Sequence, residues 1–184
     1  MGVRRQVKRP AVFLDRDGVI NRSIIRDGRP HPPASLEELE ILPGVQQALR
    51  ALKDAGYCLV VVTNQPDVAR GITSRALVES MNDRLKSELP LDAILTCFHD
   101  GVENCACRKP KPGLLIGAAR DLRLDLSASF MVGDRWRDVE AGQNAGCRTV
   151  FIDHGYDERR PKAYEFYVES LLEASTIILK EGNL

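Results

Sequence analysis

The order of segments along this chain predicts an α/β fold: a mostly parallel sheet covered by helices on both faces. Two observations predict it. Short apolar runs rich in Val, Ile and Phe alternate with segments whose apolar residues recur at helical spacing. Several of the runs end in polar groups, at Asp15, Thr63-Asn64 and Gly133-Asp134. Open α/β sheets place their ligands at the C-terminal edge of such strands.

The first strand is Val12–Asp15, and Gly18 lets the chain turn just after it. Pro43 to Ala55 reads as a helix: Pro43 suits a first turn, Val45, Leu49 and Leu52 keep the spacing, and Gly56 ends it. Leu59-Val60-Val61-Val62-Thr63 is unbroken and β-branched, as a strand buried on both faces should be. A helix over Ser74–Glu88 carries Leu77, Met81 and Leu85 on one face. Ala93-Ile94-Leu95 opens a third strand, and Leu114–Leu122 is a helix. Phe130–Asp134 and Thr149–Asp153 are two further strands; between them Asp138–Ala145 is helical, with Gly146 as its cap. Leu171–Lys180 is the last helix. Arg22–Glu40 is proline-rich and reads as a long irregular stretch overhanging the first strand's tip.

The 184 residues suit one domain with a sizeable core. Residues 1–10 are basic and lack the apolar stretch of a signal peptide, so they read as an exposed tail ahead of a domain over 11–184. The 26 basic and 26 acidic residues cancel, which argues against nucleic acid or a membrane surface as partner. No apolar run is long enough to span a bilayer. The expected setting is a reducing cytoplasm, so the five cysteines read as metal ligands or buried thiols. The expected partner is a small phosphorylated molecule met by a monomer.

Asp15 and Asp17 straddle one residue at a strand tip, where one carboxylate can attack or hold a metal and the other can move a proton. Adjacent parallel strands would bring Thr63, Lys109 and Asp134 to the same edge. A nucleophilic carboxylate, a hydroxyl, a lysine and a further carboxylate fit phosphoryl transfer, with Mg²⁺ on hard oxygens. A second cluster lies in residues 97–107: Cys97, His99, Cys105 and Cys107 have the ligand set of a closed, structural zinc site. Cys58 and Cys147 sit in or beside apolar strands and read as inert buried thiols; His31 and His154 read as surface histidines.

In the order of these motifs the chain resembles the haloacid dehalogenase superfamily of aspartyl phosphatases. Asp15-x-Asp17 matches its first motif, Thr63 its second, Lys109 its third and Gly133-Asp134 its fourth. The resemblance spans roughly Val12 to Asp153. It implies a Rossmann-like three-layer fold with Asp15 as nucleophile and Asp17 as acid and then base. Thr63 and Lys109 would hold the phosphoryl group. Mg²⁺ would sit on Asp15, the Asp17 carbonyl and Asp134, with support from Arg135 and Asp138. The zinc loop followed by Arg108-Lys109-Pro110-Lys111-Pro112-Gly113 resembles a capless branch of the superfamily. Members of that branch remove the 7-phosphate of a heptose 1,7-bisphosphate or dephosphorylate histidinol phosphate. Ala69-Arg70-Gly71 resembles the former type, and the five residues between His99 and Cys105 the latter. Asn21, Asn64, Gln65, Arg70 and Arg108 are the candidate substrate contacts, with Arg26 a further cation nearby. A nucleic-acid 3′-phosphatase, a transferase using the same intermediate and a non-catalytic binding module are the remaining alternatives.

Overall fold

The computed structural model describes residues 8–182. In chain order they form β1 (Ala11–Leu14), β2 (Ile24–Arg26), β3 (Arg29–His31), α1 (Val45–Asp54), β4 (Cys58–Asn64), α2 (Arg75–Glu88), β5 (Ala93–Cys97), α3 (Gly113–Asp121), β6 (Phe130–Gly133), α4 (Trp136–Ala145), β7 (Arg148–Ile152), β8 (Phe166–Val168) and α5 (Leu171–Glu181). Six strands make one sheet in the order β5-β4-β1-β6-β7-β8, and every pair is parallel. The central strand β1 runs between β4 and β6, so the tips carrying Asp15, Thr63 and Asp134 are neighbours.

Strand alternation divides the core into two layers. Val12, Leu14, Leu59 and Val61 face Leu49, Leu52, Met81, Leu85, Ala174 and Ile178, on α1, α2 and α5. Phe13, Val60, Val62 and Met131 face Leu115, Ala118 and Ala141, on α3 and α4. The unbroken apolar run of β4 follows from this: no position in it faces water. This is the three-layer α/β arrangement expected from the sequence. Among the described residues, no helix is long and apolar enough to cross a membrane.

Four local readings change. Arg22–Glu40 is not irregular throughout: β2 and β3 form an antiparallel hairpin whose turn, Asp27-Gly28, takes positive φ at both residues (49° and 71°). An ion pair of Arg22 with Glu40 ties the two ends of the lobe together. Helix α1 begins at Val45 rather than Pro43, because Gly44 turns left-handed ahead of it (φ 77°). Helix α4 begins two residues earlier than read, at Trp136; the Asp138 carboxylate accepts from the Arg135 backbone N–H (3.0 Å) and closes that end. The edge strand β8 went unread because it is only three residues long. Of the expected tail, Met1–Val7 lie outside the described residues. Arg9 instead bridges Leu124 as a short strand pair.

Candidate active site

The strand tips of β1, β4 and β6 line a cleft of about 330 Å³ together with the β2–β3 hairpin and the loops after β4 and β5. At its floor, Asp15 sits where β1 ends, its backbone N–H still donating to the Val132 carbonyl (3.0 Å). Lys109 is 2 % exposed, and its ammonium reaches Asp15 Oδ1 (2.8 Å), Asp138 Oδ1 (2.6 Å) and the Val62 carbonyl (2.7 Å). Three acceptors around one ammonium satisfy all of its donors. Burial opposes the charge on Lys109, but Asp138 and Asp15 outweigh it and hold the pKa above the ordinary lysine value. Asn64 fixes the loop on either side: its amide donates to the Lys109 carbonyl (3.1 Å), and its oxygen accepts from the Lys109 N–H (3.1 Å).

Asp134 is buried, and neither carboxylate oxygen has a hydrogen-bond partner. Asp15, Asp134 and Asp138 each place an oxygen within 4.8 Å of the others. Burial pushes the Asp15 carboxyl up to about 6, with Asp138 adding to the effect and Lys109 opposing it. Burial, then repulsion from Asp15 and Asp138, raises Asp134 further. An unpartnered buried carboxylate beside two others marks a cation site, and a hard divalent ion such as Mg²⁺ suits an all-oxygen donor set. The chain admits the cluster because residue 18 is glycine. A Cβ there would lie 1.9 Å from Asp134 Oδ2, on a backbone with φ +88°.

Asp17 lines the cleft next to Asp15, but its carboxylate is fully engaged. It accepts from the buried Arg16 guanidinium (3.0 Å), from the Asn21 amide (2.9 Å) and from the Gln65 amide (2.7 Å). Gln65 also donates to Thr63 Oγ1 (2.9 Å). Asn21 and Gln65 are therefore corrected as substrate contacts: both are buried, and both direct their amides at Asp17. Asn64, Arg70 and Arg108 do line the cleft. Arg70 pairs with Asp67 (3.2 Å), and Arg108 donates to the His99 carbonyl (3.0 Å). Arg26 does not line it; Arg29, on the other strand of the hairpin, does. His31 also lines the cleft rather than the open surface. Sequence reasoning missed Arg29 and Arg137. The Asp27-Gly28 turn signal would have shown that the hairpin folds residue 29 back over the site.

The second cluster lies one loop away. Cys97, His99, Cys105 and Cys107 bring one ligand atom each within 4.8 Å of the rest. Their contacts run from 3.2 Å (Cys107 Sγ to Cys97 Sγ) to 3.7 Å (Cys97 Sγ to Cys105 Sγ). A tetrahedron with metal–sulfur bonds of about 2.3 Å has edges of about 3.8 Å, so the donor set fits zinc. Burial opposes ionisation of Cys105, but hydrogen bonds from Cys107 and from the Arg108 backbone bring it down to about 7, whereas burial pushes Cys97 up to about 12 and raises Cys107 as well. Cys58 and Cys147 are buried elsewhere, and burial raises both thiols, to about 11 and about 12.

The chain is similar to several known proteins. A D-glycero-beta-D-manno-heptose-1,7-bisphosphate 7-phosphatase of Salmonella typhi is 40% identical over 94% of this chain and 96% of its own. A D-glycero-D-manno-heptose-1,7-bisphosphate 7-phosphatase of Thermosynechococcus vestitus is 39% identical over 82% of each. The crystal structure of D,D-heptose 1.7-bisphosphate phosphatase from B. bronchiseptica, complexed with magnesium and phosphate, superposes with a TM-score of 0.76 at 32% identity. That match covers 94% of this chain and 99% of the other. The family model for haloacid dehalogenase-like hydrolases matches residues 31–146, a span holding Thr63, Lys109 and Asp134. By that match and by these relatives, the chain belongs to the haloacid dehalogenase-like hydrolases.

Proposed function

We propose that the chain is a Mg²⁺-dependent phosphatase that removes the 7-phosphate of a heptose 1,7-bisphosphate through an aspartyl-phosphate. One observation carries the chemistry: the Lys109 ammonium is held between Asp15 and Asp138 at the tips of β1, β4 and β6, beside an unpartnered Asp134. Asp15 attacks phosphorus with a carboxylate oxygen. The bond from phosphorus to the sugar oxygen breaks, and Asp17 supplies the proton that the departing oxygen takes up. A water then attacks the aspartyl-phosphate, Asp17 receives its proton, and phosphate leaves with Asp15 restored. Thr63 Oγ1 donates to an equatorial oxygen, and the Lys109 ammonium, held beside Asp15, offsets negative charge as it redistributes. Asp15, Asp134 and the Asp17 carbonyl would hold Mg²⁺, which would offset the repulsion between the nucleophile and the phosphate.

Asp17 accepts from Arg16, Asn21 and Gln65, and its carboxyl reaches the leaving oxygen by turning from Gln65 or Asn21. Zinc on Cys97, His99, Cys105 and Cys107 would brace the loop that delivers Arg108 and Lys109 to the cleft.

The relatives' names supply the heptose bisphosphate, and the cleft wall supports it. Arg29, Arg70, Arg108, Arg135 and Arg137 all line it, a surrounding that repels the amine and imidazolium of histidinol phosphate. Phosphate release with Mg²⁺ should be compared for heptose 1,7-bisphosphate and histidinol phosphate. A strong preference for the bisphosphate is the expected result. Preference for histidinol phosphate overturns the substrate assignment, and no release from either or from an aryl phosphate overturns the phosphatase assignment.

A further inference from the structure

The five arginines on the cleft are not equivalent. Arg70 pairs with Asp67, and Arg135 pairs with Glu158. Among the described residues, Arg29, Arg108 and Arg137 have no carboxylate within ion-pair distance, although all three line one cavity. Lys109 is already committed to two carboxylates on the floor. The uncompensated charge therefore belongs to the wall, away from the reacting groups.

Arg137 is the least comfortable of the three. It is half-buried in the first turn of α4, where the helix dipole disfavours a cation. Stacking of its guanidinium over Trp136 (5.0 Å from the ring centroid) orients it but supplies no counter-charge. Arg159 also stacks over the same indole at 4.1 Å, so Trp136 contacts two guanidiniums. A half-buried arginine with no ion-pair partner, oriented by an indole and sharing its cavity with Arg108 and Arg29, favours an anionic ligand.

We propose that Arg137 is a specificity-determining residue that, with Arg108 and Arg29, grips the second anionic group of the substrate, the one that is not cleaved. The three guanidiniums come from α4, the Cys-His loop and the β2–β3 hairpin, so one bound phosphate would tie together three separate walls of the cleft. The proposal rests on the bisphosphate reading for the identity of the substrate, but not for the existence of the subsite.

Two measurements test it. In the first, kcat/KM is measured for heptose 1,7-bisphosphate and for p-nitrophenyl phosphate in wild type, Arg137→Gln and Arg137→Lys. The expected result is a fall of roughly tenfold or more in the bisphosphate-to-aryl ratio for Arg137→Gln, carried by KM, and partial recovery in Arg137→Lys. A proportional change on both substrates, or no change, overturns the proposal. In the second, fructose 1,6-bisphosphate and fructose 6-phosphate compete against p-nitrophenyl phosphate. Stronger inhibition by the bisphosphate, lost in Arg137→Gln, supports the subsite whatever the natural substrate is. If wild type shows that inhibition but does not prefer the heptose bisphosphate, the substrate reading falls and the subsite stands. If wild type discriminates in neither assay, both fall.

Discussion

The two clusters of metal-ligating side chains are built in opposite ways. Cys97, His99, Cys105 and Cys107 lie within eleven consecutive residues near the surface, with Cys97 buried and Cys105 and Cys107 half-buried. Asp15 lies more than a hundred residues from Asp134 and Asp138, and all three are buried. Soft donors on a short loop can close around a metal with little help from the rest of the fold. Hard donors at strand tips are held together by the sheet, at the cost of burying mutually repelling charges. The first arrangement stabilises a segment, whereas the second stores electrostatic strain that a cation relieves.

The sharpest contrast comes from removing one member of each cluster. Asp15→Asn keeps the shape of the buried cluster and removes its nucleophile. Turnover should fall by at least about 10⁴-fold with no phosphoenzyme formed, while circular dichroism and Tm stay native or improve. Appreciable residual turnover would remove Asp15 from its role. Cys105→Ser should do the reverse. Zinc content measured by atomic emission should fall from one per chain toward zero, and stability should drop by about 2–3 kcal/mol, a Tm decrease of roughly 4–12 °C. KM for the bisphosphate should rise as well, because Arg108 is anchored on the His99 carbonyl. A variant that keeps a full equivalent of zinc contradicts the site.

The stored strain predicts a pH dependence confined to the carboxylate cluster. The Asp15 carboxyl titrates at about 6 in the folded chain against 3.8 otherwise, and Asp134 is raised further. A carboxyl raised on folding stabilises the protein fully below its unfolded value, and that contribution is lost as pH rises through its folded value. Metal-free protein should therefore lose on the order of 3 kcal/mol from Asp15 alone between about pH 4 and pH 7. Mg²⁺ should restore it, so the Tm increment on adding Mg²⁺ should grow from pH 5 to pH 7.5. Asp134→Asn should raise the Tm of metal-free protein at pH 7.5 and flatten that trend. An increment independent of pH would mean that the cluster is not the ion's site.

The same contrast decides what was legible in the sequence. The Cys-His cluster announces itself by spacing, since ligands so near in sequence are near in space. The carboxylate cluster was legible only through the order of strand-end motifs, because parallel topology converts that order into adjacency. What escaped was set by neither pattern. Gln65 and Asn21 follow site motifs and look like substrate contacts, yet both are turned inward onto Asp17. Period and motif say which element a residue belongs to, but not whether a polar side chain at its end faces the cleft or a buried partner. Arg137 was hidden because α4 starts earlier than its apolar pattern, and Arg29 because the hairpin was read as irregular.

The smallest expected effect lies at the seam between the two clusters. Lys109 belongs to the Cys-His loop by sequence and to the carboxylate floor by contact, and Asn64 is the side chain that joins them. Its two hydrogen bonds to the Lys109 backbone are partly buried, so Asn64→Ala should cost about 1–2 kcal/mol of stability. The ammonium would still find Asp15 and Asp138, but on a looser tether, and a displacement well under 1 Å is enough to lower kcat by roughly tenfold. KM for an aryl phosphate should move much less. Asn64→Asp keeps an acceptor for the Lys109 N–H and loses only the donor to its carbonyl, so it should fall between wild type and the alanine variant. If Asn64→Ala matches wild type in kcat, then Asp15, Asp138 and the Val62 carbonyl suffice to hold Lys109. The sheet would then position the lysine without the loop, and the two clusters would be independent.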